Sequence, residues 1–244
     1  MRLIVDIGNT FSKFAVFKGR KILITQTKEH FTVADIRELL NKYDQIKASI
    51  VSSVSDYDQN IDEELRSKTH FVLLGHNTKL PFINLYKTPT TLGNDRIAAV
   101  AGAMEMFPGK NVLVIDAGTC ITYELLTDKG EYLGGAISPG IKMRYKSLNT
   151  FTKNLPLIQP KPDQKIELIG NTTGSSILSG VQNTVLMEVN SMINEYKHRF
   201  TDLKIILTGG DHKYFDRMLK SNIFAAPNLV LKGLNKILDF NESN

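Results

Sequence analysis

The sequence predicts an α/β protein of two similar lobes, and three observations carry that expectation. The first is an internal repeat. Leu3-Ile4-Val5-Asp6-Ile7-Gly8-Asn9-Thr10 places a short apolar run before an aspartate and a glycine-containing turn. Val112-Leu113-Val114-Ile115-Asp116-Ala117-Gly118-Thr119 sets out the same order close to half the chain length further on. The second is that each copy leads into another strand-like segment, Phe14-Ala15-Val16-Phe17 and Ile121-Thr122-Tyr123-Glu124-Leu125-Leu126, so each reads as strand, tight turn, strand. The third is that stretches with helical spacing separate the strands. Solenoid repeats recur every ~20–50 residues; a single recurrence this far apart points instead to two lobes, 1–110 and 111–244.

The elements follow in order. Residues 32–43 put Val33, Ile36, Leu39, Leu40 and Tyr43 on one helical face, with Thr32 suited to the N-cap. Short apolar runs at 46–54 and 71–74 read as buried strands, and 95–107 is a helix whose alanines and glycine suit close packing. In the second lobe, 155–163 carries prolines at 156, 160 and 162 and reads as a loop. The longest predicted helix, 177–196, aligns Ile177, Val181, Val185, Val189, Met192 and Tyr196, and 203–207 is another buried strand.

Composition narrows the class. Hydrophobic residues make up 42% and charged residues 23% of 244, as in ordinary soluble domains. The net charge of +5 comes from scattered lysines rather than a basic run, so no nucleic-acid partner is expected. The apolar run before Asp6 is far shorter than the ~7–15 residues of a signal-peptide core, and nothing approaches the ~18 apolar residues of a membrane span. Cys120 is the single cysteine, which excludes an internal disulfide; a soluble protein of the reducing cytoplasm is expected, with Cys120 a small core residue.

The two acidic turns carry the chemistry. Glycine in a tight turn lets backbone N–H groups converge on an anion, threonine adds a hydroxyl, and the aspartate ending the strand can hold a cation beside phosphates. Taken singly, either turn also suits a hairpin using Asp, Gly and Asn for geometry alone. A pair of them, with a third glycine turn at Thr208-Gly209-Gly210-Asp211 after a buried strand, favours a nucleotide. There is no G-x-x-x-x-G-K-[ST] motif, so a P-loop is excluded, and no G-x-G-x-x-G opens a helix.

The ordered set Asp6-x-Gly8-Asn9-Thr10, Gly93-Asn94-Asp95-Arg96, Asp116-x-Gly118-Thr119 with Thr122, Gly135-Ala136-Ile137-Ser138-Pro139-Gly140 and Thr208-Gly209-Gly210 resembles the type III pantothenate kinases. Thr152-x-x-Leu155-Pro156, Asn171-Thr172-Thr173 ahead of Gly180, and Lys232-Gly233-Leu234 extend the resemblance over nearly the whole chain. It implies two ribonuclease-H-like lobes with an actin-like ATPase core around a nucleotide cleft. The implied reaction phosphorylates pantothenate with ATP in a homodimer that needs Mg2+ and a monovalent cation, K+ or NH4+. By the same resemblance, Asp6, Ile7, Gly8, Asn9, Thr10, Phe11, Ser12 and Lys13 form the first ATP loop, Asp6 lies near the divalent cation, and Thr119 contacts ATP. Asp116 is implied as the monovalent-cation ligand, Asp95 as the proton acceptor, and Tyr86, Gly93, Asn94, Asp95, Arg96 and Thr173 as substrate contacts.

The residues themselves leave several readings side by side. Asn94 and Asp95 also suit a helix N-terminus, which would stabilise the carboxylate and weaken it as a base. Arg96 can pair bidentately with a substrate carboxylate or form a surface salt bridge. Tyr86 is equally a packed aromatic, Thr172 competes with Thr173, and His212 reads as exposed. Another small hydroxylated metabolite as acceptor, or a nucleotide-binding regulator without turnover, uses the same cleft.

Overall fold

The computed structural model describes residues 1–9, 11–161, 164–219 and 222–243. The repeat seen in sequence is a repeat of topology. Strands β1 (Arg2–Ile7), β2 (Ser12–Lys18) and β3 (Lys21–Lys28) lead into helix α1 (Val33–Lys42), then β4 (Ala48–Ser53), α2 (Asn60–Lys68) and β5 (His70–Leu73). Their sheet has the order β3-β2-β1-β4-β5. After β6 (Ile83–Asn84), a 3-10 turn at Pro89–Thr91 and α3 (Asn94–Met106), the pattern restarts with β7 (Val112–Ala117), β8 (Cys120–Leu126) and β9 (Glu131–Pro139). It continues through α4 (Ile141–Thr150), α5 (Thr173–Arg199), β10 (Lys204–Thr208), α6 (His212–Met218), β11 (Phe224–Ala225) and α7 (Leu229–Glu242). The second sheet runs β11-β10-β7-β8-β9-β6, the same order with one added edge strand.

Local chemistry explains the elements. Thr32 caps α1 through a reciprocal box in which its hydroxyl accepts from Asp35 N–H and the Asp35 carboxylate accepts from Thr32 N–H. Ile36, Leu39 and Leu40 then face a core with Leu3, Val5, Ile7, Phe14 and Val16. In α5 the predicted stripe is buried at Ile177, Val181, Val185 and Val189 and continues at Ile193, with Met192 and Tyr196 at its margin. The helix starts a turn earlier than the apolar period suggests, because Thr172 and Ser175 build a second capping box. Segment 151–172 joins α4 to α5 without regular structure; Pro162 and Asp163 of the predicted loop lie outside the described residues.

Two compact units emerge, one of 1–110, 126–134 and 228–244, the other of 111–125 and 135–227. The sequence-based division assigned 228–244 to the second lobe, and packing corrects it. Helix α7 buries Leu229, Leu231, Leu234, Ile237 and Leu238, each burial worth about 1.5–3 kcal/mol. It seats them in the first unit against α3 and strands β1 and β4. Arg2 ties the far end of α7 to β1 through Asp239 and Glu242. The α3–α7 approach is main chain on main chain: a Cβ on Gly233 would stand 1.7 Å from the Ala98 carbonyl oxygen. Gly233→Ala therefore forces the helices apart. Urea unfolding is expected to show a loss of about 3 kcal/mol, read as a lower midpoint at unchanged slope.

Candidate functional site

In the first unit, β1 and β4 are parallel, so their carboxyl ends reach one edge of the sheet, where ligands of open α/β sheets bind. Asp6 ends β1 there. The turn to β2 is closed by Gly8 N–H donating to Phe11 O at 3.1 Å, and a Cβ on Gly8 would lie 2.9 Å from that oxygen. Ser55 Oγ donates to Gly8 O, and Val54 N–H to Ile7 O. Asn9 and Phe11 are exposed, Ser12 is buried, and the Ile7 side chain belongs to the α1 core, so Ile7 offers the edge only its main chain. Thr10 lies outside the described residues. Lys13 is the antiparallel partner of Asp6, and Ser52 is its parallel partner. Register partners share a face, so Lys13, Asp6 and Ser52 form one row across the sheet, opposite in sign at Lys13 and Asp6.

The substrate-assigned stretch arrives at the same edge. Asn94 Nδ2 donates to Ser53 O at 3.2 Å and to Leu74 O at 3.1 Å, which pins the start of α3 onto the ends of β4 and β5. Asn94 and Asp95 open α3, as their residue types suggest, with Gly93 rather than either of them at the cap position. Asp95 stands in the first turn and accepts Arg96 N–H at 2.8 Å. Its carboxylate folds back over Gly93, where a Cβ would be 2.6 Å from Oδ1. Arg96 is 7% exposed, which removes the surface salt-bridge reading. Its guanidinium lies 5.3 Å from the centre of the Tyr86 ring, which in turn stacks on Tyr132 at 6.1 Å. Tyr86 is thus both a packed aromatic and a neighbour of Arg96.

The second unit assembles Asp116, Gly118 and Thr119 with two further glycine segments. Strands β7 and β10 are parallel with Asp116 opposite Thr208. Gly209 follows with φ of +91°, and a Cβ there would meet Ala117 O at 2.3 Å and Asp116 Oδ1 at 2.4 Å. Only glycine tolerates both conditions. Asp211 N–H donates to Ala117 O at 2.9 Å. From the other side, Gly140 N–H donates to Thr119 O at 3.0 Å, with Gly118 O so near that a Cβ would stand 2.3 Å away. Arg144 holds this junction by donating to Pro139 O and Ser138 Oγ while pairing with Glu188 at 2.6 Å. Thr119 is exposed and Cys120 half-buried. His212, expected to be exposed, is half-buried, with Nδ1 2.6 Å from Gly209 O; a carbonyl only accepts, so Nδ1 carries the proton. The Thr172 hydroxyl is occupied by its capping box, whereas Thr173 is exposed at the first turn of α5.

A cavity of about 1060 Å³ opens beside this cluster, bounded by α4, 157–161, 164–166, α5 and α6, with Lys142, Lys146 and Arg217 among its cations. Within it Tyr214 OH donates to Gln182, whose amide donates to Tyr145 OH. Burial pushes the Tyr214 hydroxyl up to about 12. Asp211, the one acidic group among the described residues of the lining, is also raised by burial, with Lys142 acting against the shift. Sequence reasoning missed Ser52, the Arg144–Glu188 pair and this cavity. A signal for the first existed: Ser52-Ser53 interrupts an apolar strand next to the Asp6 turn.

Comparison with known proteins follows the same residues. The family model for type III pantothenate kinase matches residues 2–195. The type III pantothenate kinase of Christiangramia forsetii is 50% identical over 246 residues, covering 100% of both chains. That of Bacteroides fragilis is 44% identical over 242 residues, covering 99% of this chain and 98% of its own. Among solved structures, a Baf family transcriptional activator from Campylobacter jejuni superposes with a TM-score of 0.64 at 21% identity, covering 99% and 100% of the two chains. A glucokinase from an Antarctic psychrotroph gives 0.52 at 14% identity, covering 98% of each. At such identities these two establish the fold, that of the actin-like ATPases and sugar kinases.

The raised Asp211 has a consequence for stability. Its folded pKa lies above the ~3.9 of an unfolded aspartate, so ionisation opposes folding. The penalty is absent below the unfolded value, grows as pH rises through the folded one, and is complete above it. Asp211→Asn is expected to be more stable than the parent at pH 7 and equal to it near pH 3, as thermal melts of the ligand-free protein would register.

Proposed function

This chain belongs to the type III pantothenate kinase family, and from that membership we infer that it transfers the γ-phosphoryl group of ATP to pantothenate. The product is 4′-phosphopantothenate, and the reaction opens coenzyme A biosynthesis. The observation that carries the phosphotransfer reading is the meeting of the Asp6 turn and the Asp95 helix start on one sheet edge, joined through Asn94 and Ser53.

Phosphoryl transfer proceeds through a loose transition state, so catalysis is mostly positioning and charge neutralisation. In this reading main-chain N–H groups of the turn after Asp6 serve the phosphates, and Lys13 offsets their charge. Asp6 would supply a hard oxygen ligand to a divalent cation such as Mg2+, which would neutralise charge on the phosphates. Asp95 orients the substrate hydroxyl and accepts its proton late, when little basicity is required. Buried Arg96, steadied by Tyr86, pairs with the pantothenate carboxylate, and desolvation strengthens that pair. In the second unit, Thr119 contacts ATP, and the cavity lined by Asp211, the residue after the Gly209-Gly210 turn, suits the base and ribose. Asp116, beside the main-chain oxygen of Ala117 at Gly209, is assigned the monovalent cation, K+ or NH4+. The freer hydroxyl of Thr173 favours it over Thr172 as a substrate contact.

Exposed apolar side chains on and after α4 support a homodimer, notably Phe151 at 85% and Ile169 at 84% exposure. Among the described residues no helix is long and apolar enough to cross a membrane; with a free cysteine and no basic run, a cytoplasmic enzyme acting on small molecules is the reading adopted.

Phosphopantothenate formation from ATP and Mg2+, with K+ present and then omitted, tests the assignment directly. Activity that falls without K+ is expected; turnover of a sugar but not of pantothenate would overturn the substrate. Asp95→Asn is expected to fold and bind ATP while kcat drops by about 10²–10⁴-fold. Full activity in that variant would remove Asp95 as the base.

A further inference from the structure

Strand β4 carries three serines, and only one lacks a hydrogen bond. Ser49 Oγ pairs with Thr69 Oγ1 at 2.6 Å, and Ser53 Oγ donates to Ser55 O at 2.5 Å. Ser52 is 0% exposed, and its Oγ has no hydrogen-bond partner among the described residues. Leaving a buried hydroxyl unpaired costs about 1–3 kcal/mol, and native structures rarely tolerate it without a reason.

Its position supplies the reason. Ser52 is the parallel register partner of Asp6 and therefore stands next to that carboxylate on the same face, about 4.8 Å away along the hydrogen-bonding direction. The following residue, Ser53, is the one whose carbonyl anchors Asn94 and with it the start of the Asp95 helix. An unpaired donor is thus held at the carboxyl edge of the sheet, in one row with Asp6 and Lys13.

We propose that Ser52 is a ligand-binding residue whose hydroxyl donates to an oxygen of the cation–triphosphate assembly held by Asp6. The oxygen belongs either to a phosphate or to a water of the cation shell. The proposal rests on the assignment of the Asp6 turn to nucleotide phosphates. It differs from a structural role in what it predicts for the ligand-free protein. A hydroxyl that stabilised the fold would be missed on removal; an unpaired one awaiting ligand would not.

The test is calorimetric titration of a non-hydrolysable ATP analogue, with and without Mg2+, into the parent protein, Ser52→Ala, Ser52→Cys and Asp6→Asn, with melting temperatures of each ligand-free protein. Ser52→Ala is expected to melt at or above the parent temperature while binding the Mg2+–analogue complex about tenfold more weakly. Ser52→Cys, a poor donor of nearly the same size, is expected to lose affinity likewise. Weakening that persists without Mg2+ identifies a phosphate oxygen as acceptor; weakening confined to the Mg2+ titration identifies water of the cation shell. Unchanged affinity in Ser52→Ala, or a lower melting temperature without weaker binding, overturns the proposal. If Asp6→Asn loses affinity in that case, only the role of Ser52 falls. If Asp6→Asn also binds normally, the phosphate assignment of the turn falls with it.

Discussion

The cluster of the second unit depends on main chains approaching more closely than any side chain permits. In the second unit the Asp116 carboxylate, the Ala117 carbonyl and Gly209 crowd into a space where a single methyl group would overlap two oxygens. Gly140 meets the neighbouring Gly118–Thr119 turn just as closely. Interiors at crystal-like density transmit such displacements rather than absorb them. The glycines therefore set how far Asp116 and Thr119 stand from one another's backbone, and the hydrogen bonds from Gly140 and Asp211 hold that spacing.

The first unit uses strand direction for the same end. Parallel β1 and β4 bring Asp6 and Ser52 to one edge, and the amide of Asn94 couples that edge to α3. A carboxylate in the first turn of a helix is oriented by main-chain N–H groups and favoured by the macrodipole. For Asp95 that arrangement fixes the direction of the carboxylate at the sheet edge. The packing of Arg96 against Tyr86 extends the order, holding a buried cation against an aromatic surface.

The sequence disclosed much of this because each signal was local. The repeat of Asp6 and Asp116 revealed the duplicated strand order, and Thr32 marked a helix start that the structure builds as a full capping box. Asp95 was visible as a helix-start residue, yet its exact rank depended on Gly93, which has no side chain to announce a cap. What stayed hidden was non-local. That α7 belongs with α3 depends on contacts between residues more than a hundred positions apart, and no period within 229–242 names its partner. Arg144 likewise looks like one basic residue among many until Ser138, Pro139 and Glu188 converge on it. The burial of His212 depends on the carbonyl of Gly209, whose direction follows from a left-handed residue that sequence marks only as a glycine.

The return of the closing helix to the first unit bears on how the polypeptide is made. A ribosome delivers 1–110 first, but α7, which covers one face of that sheet, emerges only after the entire second unit has been synthesised. Until then the face of α3 that packs on α7 lacks that partner, and nascent chains stalled or cleaved shortly before residue 228 would carry the first unit without its closing helix.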